Sequence, residues 1–166
     1  MGSMVDALGR RVGYAPGVFD LFHIGHLNLL RSATTFCDYL IAGVVTDEIA
    51  ERNKDYVPIV PFAERLEIVS SIRYVDEAVG EDVPHKLQQW ERLKFDVIIK
   101  GNDWVDTERG RRLEADFAPL GVVVAYVPYT PQTSSTILRR KLYRELDGLG
   151  SVVPEMPATP PTPRNA

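Results

Sequence analysis

The sequence predicts an α/β fold, a doubly wound parallel sheet of about five strands with helices on both faces. Three observations carry that prediction. Apolar runs of strand length alternate along the chain with segments of helical periodicity. The runs are continuous rather than alternating, as in Asp38 to Val45, which suits strands covered on both faces. Pro, Gly and short polar clusters punctuate almost every junction.

Taken in order, Arg11 to Ala15 reads as the first strand, broken at Pro16-Gly17. A helix over 25–36 places Leu27, Leu29, Leu30, Ala33 and Phe36 on one face. After the strand ending at Val45, the polar stretch Glu51 to Asp55 reads as loop. Pro61 opens a helix to about Ile72, because its missing N–H costs nothing at a first helical position. Val75 to Val79 is a short strand, Pro84 to Lys94 a helix, and Asp96 to Lys100 another apolar strand. Gly101 to Thr107 is loop, Glu108 to Phe117 helix, and Gly121 to Val127 a β-branched strand. The hydroxyls of Ser134-Ser135-Thr136 can cap a last helix reaching Leu146. Right-handed crossovers then give a single Rossmann-like sheet, whose ligands bind beyond the carboxyl ends of the strands.

Composition bounds the function. At 166 residues, with 45% hydrophobic and 25% charged residues, the chain suits one globular domain. A net charge of −4 argues against a general nucleic-acid binder. No apolar run approaches the roughly 20 residues of a membrane span. A single cysteine, Cys37, excludes an internal disulfide and any multi-thiolate zinc site, and reads as core or subunit interface. The expected setting is cytoplasmic. Residues 1–10 read as a tag remnant and flexible N-terminus, 11–148 as the domain, and 149–166, with five prolines between Pro154 and Pro163, as a disordered tail.

Neither G-x-x-x-x-G-K-[ST] nor G-x-G-x-x-G occurs. The first turn instead carries Gly17-Val18-Phe19-Asp20-Leu21-Phe22-His23-Ile24-Gly25-His26. Two of the chain's 3 histidines flank a glycine where a helix begins. This is an anion site in outline: free N–H groups and a partial positive charge at the helix start, with imidazole donors beside them. Gly25 lets backbone approach a phosphate with no Cβ in the way.

The string 17–26 resembles the GTFDxxHxGH signature of the HxGH nucleotidylyltransferase superfamily, in the version typical of cytidylyltransferases of the bacterial glycerol-3-phosphate branch. The resemblance continues over roughly residues 12–142. Arg73-Tyr74-Val75-Asp76-Glu77 is similar to that family's RYVDE, and Gly101-Asn102-Asp103-Trp104 to its GDDW. The segment Tyr129-Thr130-Pro131-Gln132-Thr133-Ser134-Ser135-Thr136 falls where the family has RTxGISTT. Tyr129 replaces the nucleotide-binding arginine, Gln132 the glycine, and Val18 the threonine of the first motif. A tyrosine supplies neither the charge nor the bidentate fork of a guanidinium.

The resemblance implies direct nucleotidyl transfer: a substrate phosphate attacks the α-phosphorus of CTP and expels pyrophosphate. It implies that His23 and His26 donate to phosphate oxygens, and that Lys54, a catalytic lysine, reaches the α-phosphate or the acceptor. Arg65 is then acceptor-binding. Val18, Phe19, Asp20, Gly25, Arg73, Gly101, Asp103, Tyr129, Thr130, Ser134, Ser135 and Thr136 are nucleotide-binding. Asp20 orients its loop or positions nucleotide and metal, Asp76 caps or orients its neighbours, and Trp104 packs. Mg²⁺ rides mainly on the nucleotide phosphates, with no protein metal cage. The acceptor is a phosphorylated alcohol, and the protein a homodimer. Two alternatives stand beside this one. The first is an adenylyltransferase of the same fold acting on a sugar phosphate such as heptose 1-phosphate, and the second a non-catalytic nucleotide-binding module.

Overall fold

The computed structural model describes residues 6–54 and 56–148. Of the tag remnant and flexible N-terminus expected at residues 1–10, residues 1–5 lie outside them, as does the Pro-rich tail expected at 149–166. Five strands, β1 (Val12–Gly17), β2 (Tyr39–Val45), β3 (Glu77–Glu81), β4 (Val97–Gly101) and β5 (Val123–Val127), form one all-parallel sheet in the order β3-β2-β1-β4-β5. From β1 the chain first builds outward through β2 and β3, then crosses to the other side of β1 for β4 and β5. The topology therefore switches between β1 and β4, and their carboxyl ends border the crevice where ligands of such sheets bind.

The helices are α1 (Ile24–Ala33), α2 (Asp47–Lys54), α3 (Phe62–Ser70), α4 (Lys86–Leu93), α5 (Glu108–Phe117) and α6 (Ser135–Gly148). The two-residue period of the strands divides the core into two layers. On one face Ala15, Leu40, Ala42, Val44, Val97, Ile99 and Ala125 meet Leu30 and Ala33 of α1 and Val69 of α3. On the other, Val12, Tyr14, Ile41 and Ile98 meet Leu113 and Phe117 of α5, with Leu87 and Trp90 of α4 against them. Tyr14 stacks on Phe95 at 4.7 Å between ring centroids. Its hydroxyl donates to buried Glu81, which also pairs with Lys86. Gly43 permits this ring position, because a Cβ there would fall 2.1 Å from the Tyr14 oxygen.

Several boundaries differ from the sequence reading, and three of them bear on the architecture. β1 runs on through Pro16 to Gly17 in register with β2, while its ladder to β4 stops at Tyr14. Pro16 is tolerated because that end of the strand is paired on one side only. Residues 51–54, read as loop, close the helix α2. Asp47 and Glu48 favour its N-terminus, and Ile49 and Ala50 pack into a small cluster with Val18 and Val45. β3 begins two residues later than read, at Glu77. Asp76 first closes a pair of bonds with Leu40, accepting from its N–H and donating to its carbonyl.

The chain divides into two compact units, 1–135 and 136–166. In the second, residues 136–148 are described and continue α6 as helix. Among the described residues, no helix is long and apolar enough to cross a membrane.

Candidate functional site

At the carboxyl end of β1 the backbone turns sharply. Phe19 and Leu21 adopt positive φ, 55° and 49°. For non-glycine residues this left-handed region costs about 1–2 kcal/mol each, so the surrounding structure must hold the turn in place. Phe19 is buried and packs edge-on against His26 at 5.3 Å.

His23 is the N-cap of α1. Its Nδ1 accepts the Gly25 N–H at 3.0 Å, and His26 Nδ1 accepts the His23 N–H at 3.4 Å, a reciprocal box made of two imidazoles. The rings stack with centroids 3.9 Å apart. Because both Nδ1 atoms accept from backbone, each neutral ring carries its proton on Nε2. Gly25 makes room for this cap: a Cβ would lie 2.8 Å from the His23 ring and 3.4 Å from the Thr133 carbonyl. Burial lowers the pKa of His23, which favours the neutral imidazole. The Ser135 hydroxyl donates to the Asp20 carbonyl at 2.6 Å and lies 3.4 Å from His23 Nε2, where it can accept the imidazole N–H.

These groups line a pocket of about 150 Å³. His23, Gly25 and His26 form one wall, Gly101 the end of β4, and Tyr129, Thr130, Ser134 and Ser135 the segment after β5. Three sequence-distant motifs meet there. Gly101 allows the Asp103 carboxylate to sit close, since a Cβ would fall 2.4 Å from its oxygen. Asp103 itself borders a wider cleft of about 340 Å³ with Trp104, Thr107, Glu108 and Arg109. The Lys100 ammonium stands 4.4 Å from the centre of the Trp104 ring.

Of the other residues singled out from the sequence, Asp20, Val18, Arg65 and Arg73 do not line this pocket. Asp20 is buried, and its two carboxylate oxygens accept the Ile59 and Val60 N–H groups at 3.1 and 2.9 Å. Val18 is buried with Val45. Arg65 does not reach the histidine pocket. It is 1% exposed and directs its guanidinium into the protein, onto the Val18, Val45 and Val60 carbonyls and Asp47. Arg73 is not brought to the pocket either: it is exposed in the turn before β3, at the amino edge of the sheet, over the Tyr74 ring. Lys54 is the last residue of α2. Thr136 is the second residue of α6. Cys37 is half-buried under Gly13, its thiol pushed up to about 11 by burial.

Two contributors were not read from the sequence. Asn102 accepts the Tyr129 N–H at 3.0 Å and so fixes the segment after β5, while Asn28 on α1 donates to Thr130 at 3.1 Å. Asn102 stands in the Gly101-Asn102-Asp103-Trp104 string, where a side-chain amide at a strand end is itself a turn signal. Asn28 had none, because a polar residue on a helix reads as solvated.

Comparison with known proteins supports a common origin for this architecture. The family model described as cytidylyltransferase-like matches residues 14–141. The glycerol-3-phosphate cytidylyltransferase of Bacillus subtilis (strain 168) is 33% identical over 142 residues, which cover 80% of this chain and 95% of that protein. An FAD synthase of Pyrococcus abyssi is 42% identical over 88 residues, covering 52% of this chain and 60% of that protein. The crystal structure of a lipopolysaccharide core biosynthesis protein from Thermoplasma volcanium superposes with a TM-score of 0.63 at 26% identity, over 74% of this chain and 100% of that one.

Proposed function

The chain belongs to the cytidylyltransferase-like family, and from that we propose that it transfers CMP from CTP to a phosphorylated alcohol of the glycerol 3-phosphate kind. An acceptor phosphate oxygen attacks the α-phosphorus, and the bond to the β-phosphate oxygen breaks. Pyrophosphate leaves with that electron pair. Such transfer needs positioning and charge stabilisation more than covalent help.

The observation that carries this reading is the pair of stacked imidazoles whose Nδ1 atoms are held by backbone N–H groups. Each ring thereby carries its proton on Nε2, and in this reading those N–H groups turn to phosphate oxygens as charge builds in the transition state, His23 exchanging its contact with the Ser135 hydroxyl. Gly101, Asp103, Tyr129 and Thr130 take the nucleoside side in this reading. Ser134, Ser135 and Thr136 take the phosphates, and Lys54 the acceptor phosphate. Mg²⁺ belongs to the reading too. Asp20 commits both carboxylate oxygens to backbone amides, and among the described residues no three His, Cys, Asp or Glu side chains gather as ligands. Triphosphate oxygens and water would hold the ion. When bound, it neutralises phosphate charge.

A second reading, adenylyl transfer to a sugar phosphate, is favoured by Tyr129. Its half-exposed ring lines the pocket where the resembling family carries a guanidinium, and a ring face accepts any base by stacking. The test is a pyrophosphate-release screen crossing CTP, ATP, UTP and GTP with phosphorylated alcohols and sugars. Fastest release from CTP with glycerol 3-phosphate is expected. Fastest release from ATP with a sugar phosphate selects the second reading. Triphosphate binding without release in any pair makes the protein a binding module. Sedimentation equilibrium on the same sample tests the homodimer.

A further inference from the structure

We infer that Arg65 is a positioning residue and not an acceptor ligand: with Asp20 it latches the segment 56–61 onto the histidine turn and keeps that turn in its strained shape. The inference rests on the proposed transfer reaction for its catalytic consequence, though not for the latch itself.

The segment Pro58-Ile59-Val60-Pro61 contains two backbone N–H groups, because proline has none. Both are donated to one carboxylate, that of Asp20. The Val60 carbonyl accepts Arg65 Nε at 2.8 Å. Arg65 Nη1 reaches the Val45 carbonyl at 2.8 Å, at the end of β2, and the Val18 carbonyl at the start of the histidine turn. Its Nη2 pairs with Asp47 at 2.6 Å, and Asp47 in turn accepts the Phe62 N–H that opens α3. One guanidinium therefore joins the turn after β1, the end of β2, α2 and the connection before α3. A planar fork with fixed donor directions can do this, and an ammonium cannot.

The position of the latch explains its function. Val18 immediately precedes Phe19 and Asp20, and Phe19 and Leu21 hold positive φ. Asp20 is gripped through its side chain by residues 59 and 60 and through its carbonyl by Ser135. Releasing either end frees the turn to relax toward ordinary backbone angles. The relaxation moves His23 and His26, and the reaction slows through misplacement of its donors.

The test uses Arg65→Lys in the whole chain, with Asp20→Asn as the second variant should the first fail to fold. Amide hydrogen exchange at Ile59 and Val60 is measured without substrate, and steady-state kinetics with the best substrate pair of the release screen. The expected result is exchange at both amides faster by about tenfold or more, with kcat lowered at least about tenfold and the acceptor KM moved less than about threefold. Wild-type exchange rates combined with an acceptor KM raised about tenfold would make Arg65 an acceptor ligand and overturn the inference. The exchange measurement stands by itself. If no substrate pair releases pyrophosphate, the proposed reaction fails while the latch is still decided.

Discussion

The helices α1 and α5 begin at comparable places, each after one of the two adjacent strands that border the switch point, yet their N-termini are built differently. Thr107 caps α5 with its hydroxyl, accepting the Gly110 N–H at 3.1 Å. Threonine is among the residues that do this best. The left-handed position beside it is taken by Asp106, a residue that tolerates such angles. Gly110 is there so that the Trp104 carbonyl can pack, since a Cβ would fall 2.1 Å from it. At α1 the cap is an imidazole and the left-handed positions are Phe19 and Leu21, while Gly25 makes room for a side chain instead of backbone. One start follows local preference throughout. The other departs from it at the cap and twice in the backbone, and these departures hold two stacked imidazoles with both Nδ1 atoms bound to backbone N–H groups. Local strain gathered around titratable groups is the mark of a site, as distinct from a well-made helix end.

The largest effect that would sharpen this contrast is in His26. His26→Ala should lower kcat at least about a hundredfold, or about 2.7 kcal/mol in the barrier, with a smaller change in nucleotide affinity. Near-normal turnover of that variant in the release assay would break the comparison. Glycine replacements come next. Gly110→Ala sets a Cβ against backbone and should destabilise the fold by about 1–3 kcal/mol in urea unfolding. Gly25→Ala meets chiefly the His23 ring, which can swing away, so its loss should appear in kcat before it appears in stability. Similar unfolding losses for both would show that the two glycines serve one purpose.

Removing the ordinary cap is a smaller change. Thr107→Ala should cost about 1 kcal/mol of stability with turnover intact. The last prediction concerns acid. Because burial lowers the His23 pKa below its usual 6.5, the unfolded chain binds the proton more readily. The stability contributed by neutral His23 is complete above about pH 6.5 and is lost as pH falls through the lower folded value. His23→Asn keeps a good cap and cannot titrate. Its melting temperature should decline less steeply than that of the parent chain on going from pH 7 to pH 5. Parallel declines would remove the titrating cap from the account.

Much of this was legible in the sequence for a physical reason. Strands buried on both faces must be apolar throughout, so β2 and β4 stand out as runs, β5 is marked by its β-branched residues, and the string 17–26 keeps its chemistry in one short segment. What stayed illegible depends on distance in the chain. α2 carries two buried residues, Ile49 and Ala50, too few to show a helical face. Arg65 looks like any surface arginine on an amphipathic helix until β1, β2 and the 59–60 segment converge on it. Arg73 stands near a strand end in sequence, but it is the amino end of β3, and a parallel sheet puts its ligands at the other edge. Asn28 gains its role from Thr130, 102 residues away.

The strand order has a consequence for how the molecule is assembled. β1 precedes the other four strands of its sheet in the chain, yet it ends at the centre of the sheet, flanked by a partner that follows promptly and another that arrives only after β3 and α4 have been made. Until residues 97–101 appear, one edge of a strand destined for the interior stays open to any other chain. The histidine turn is complete by residue 26, but the opposite wall of its pocket is supplied by residues 128–135. A nascent chain therefore carries the two imidazoles for most of its synthesis without a pocket around them, and the proposed triphosphate binding can begin only after residues 128–135 have been made.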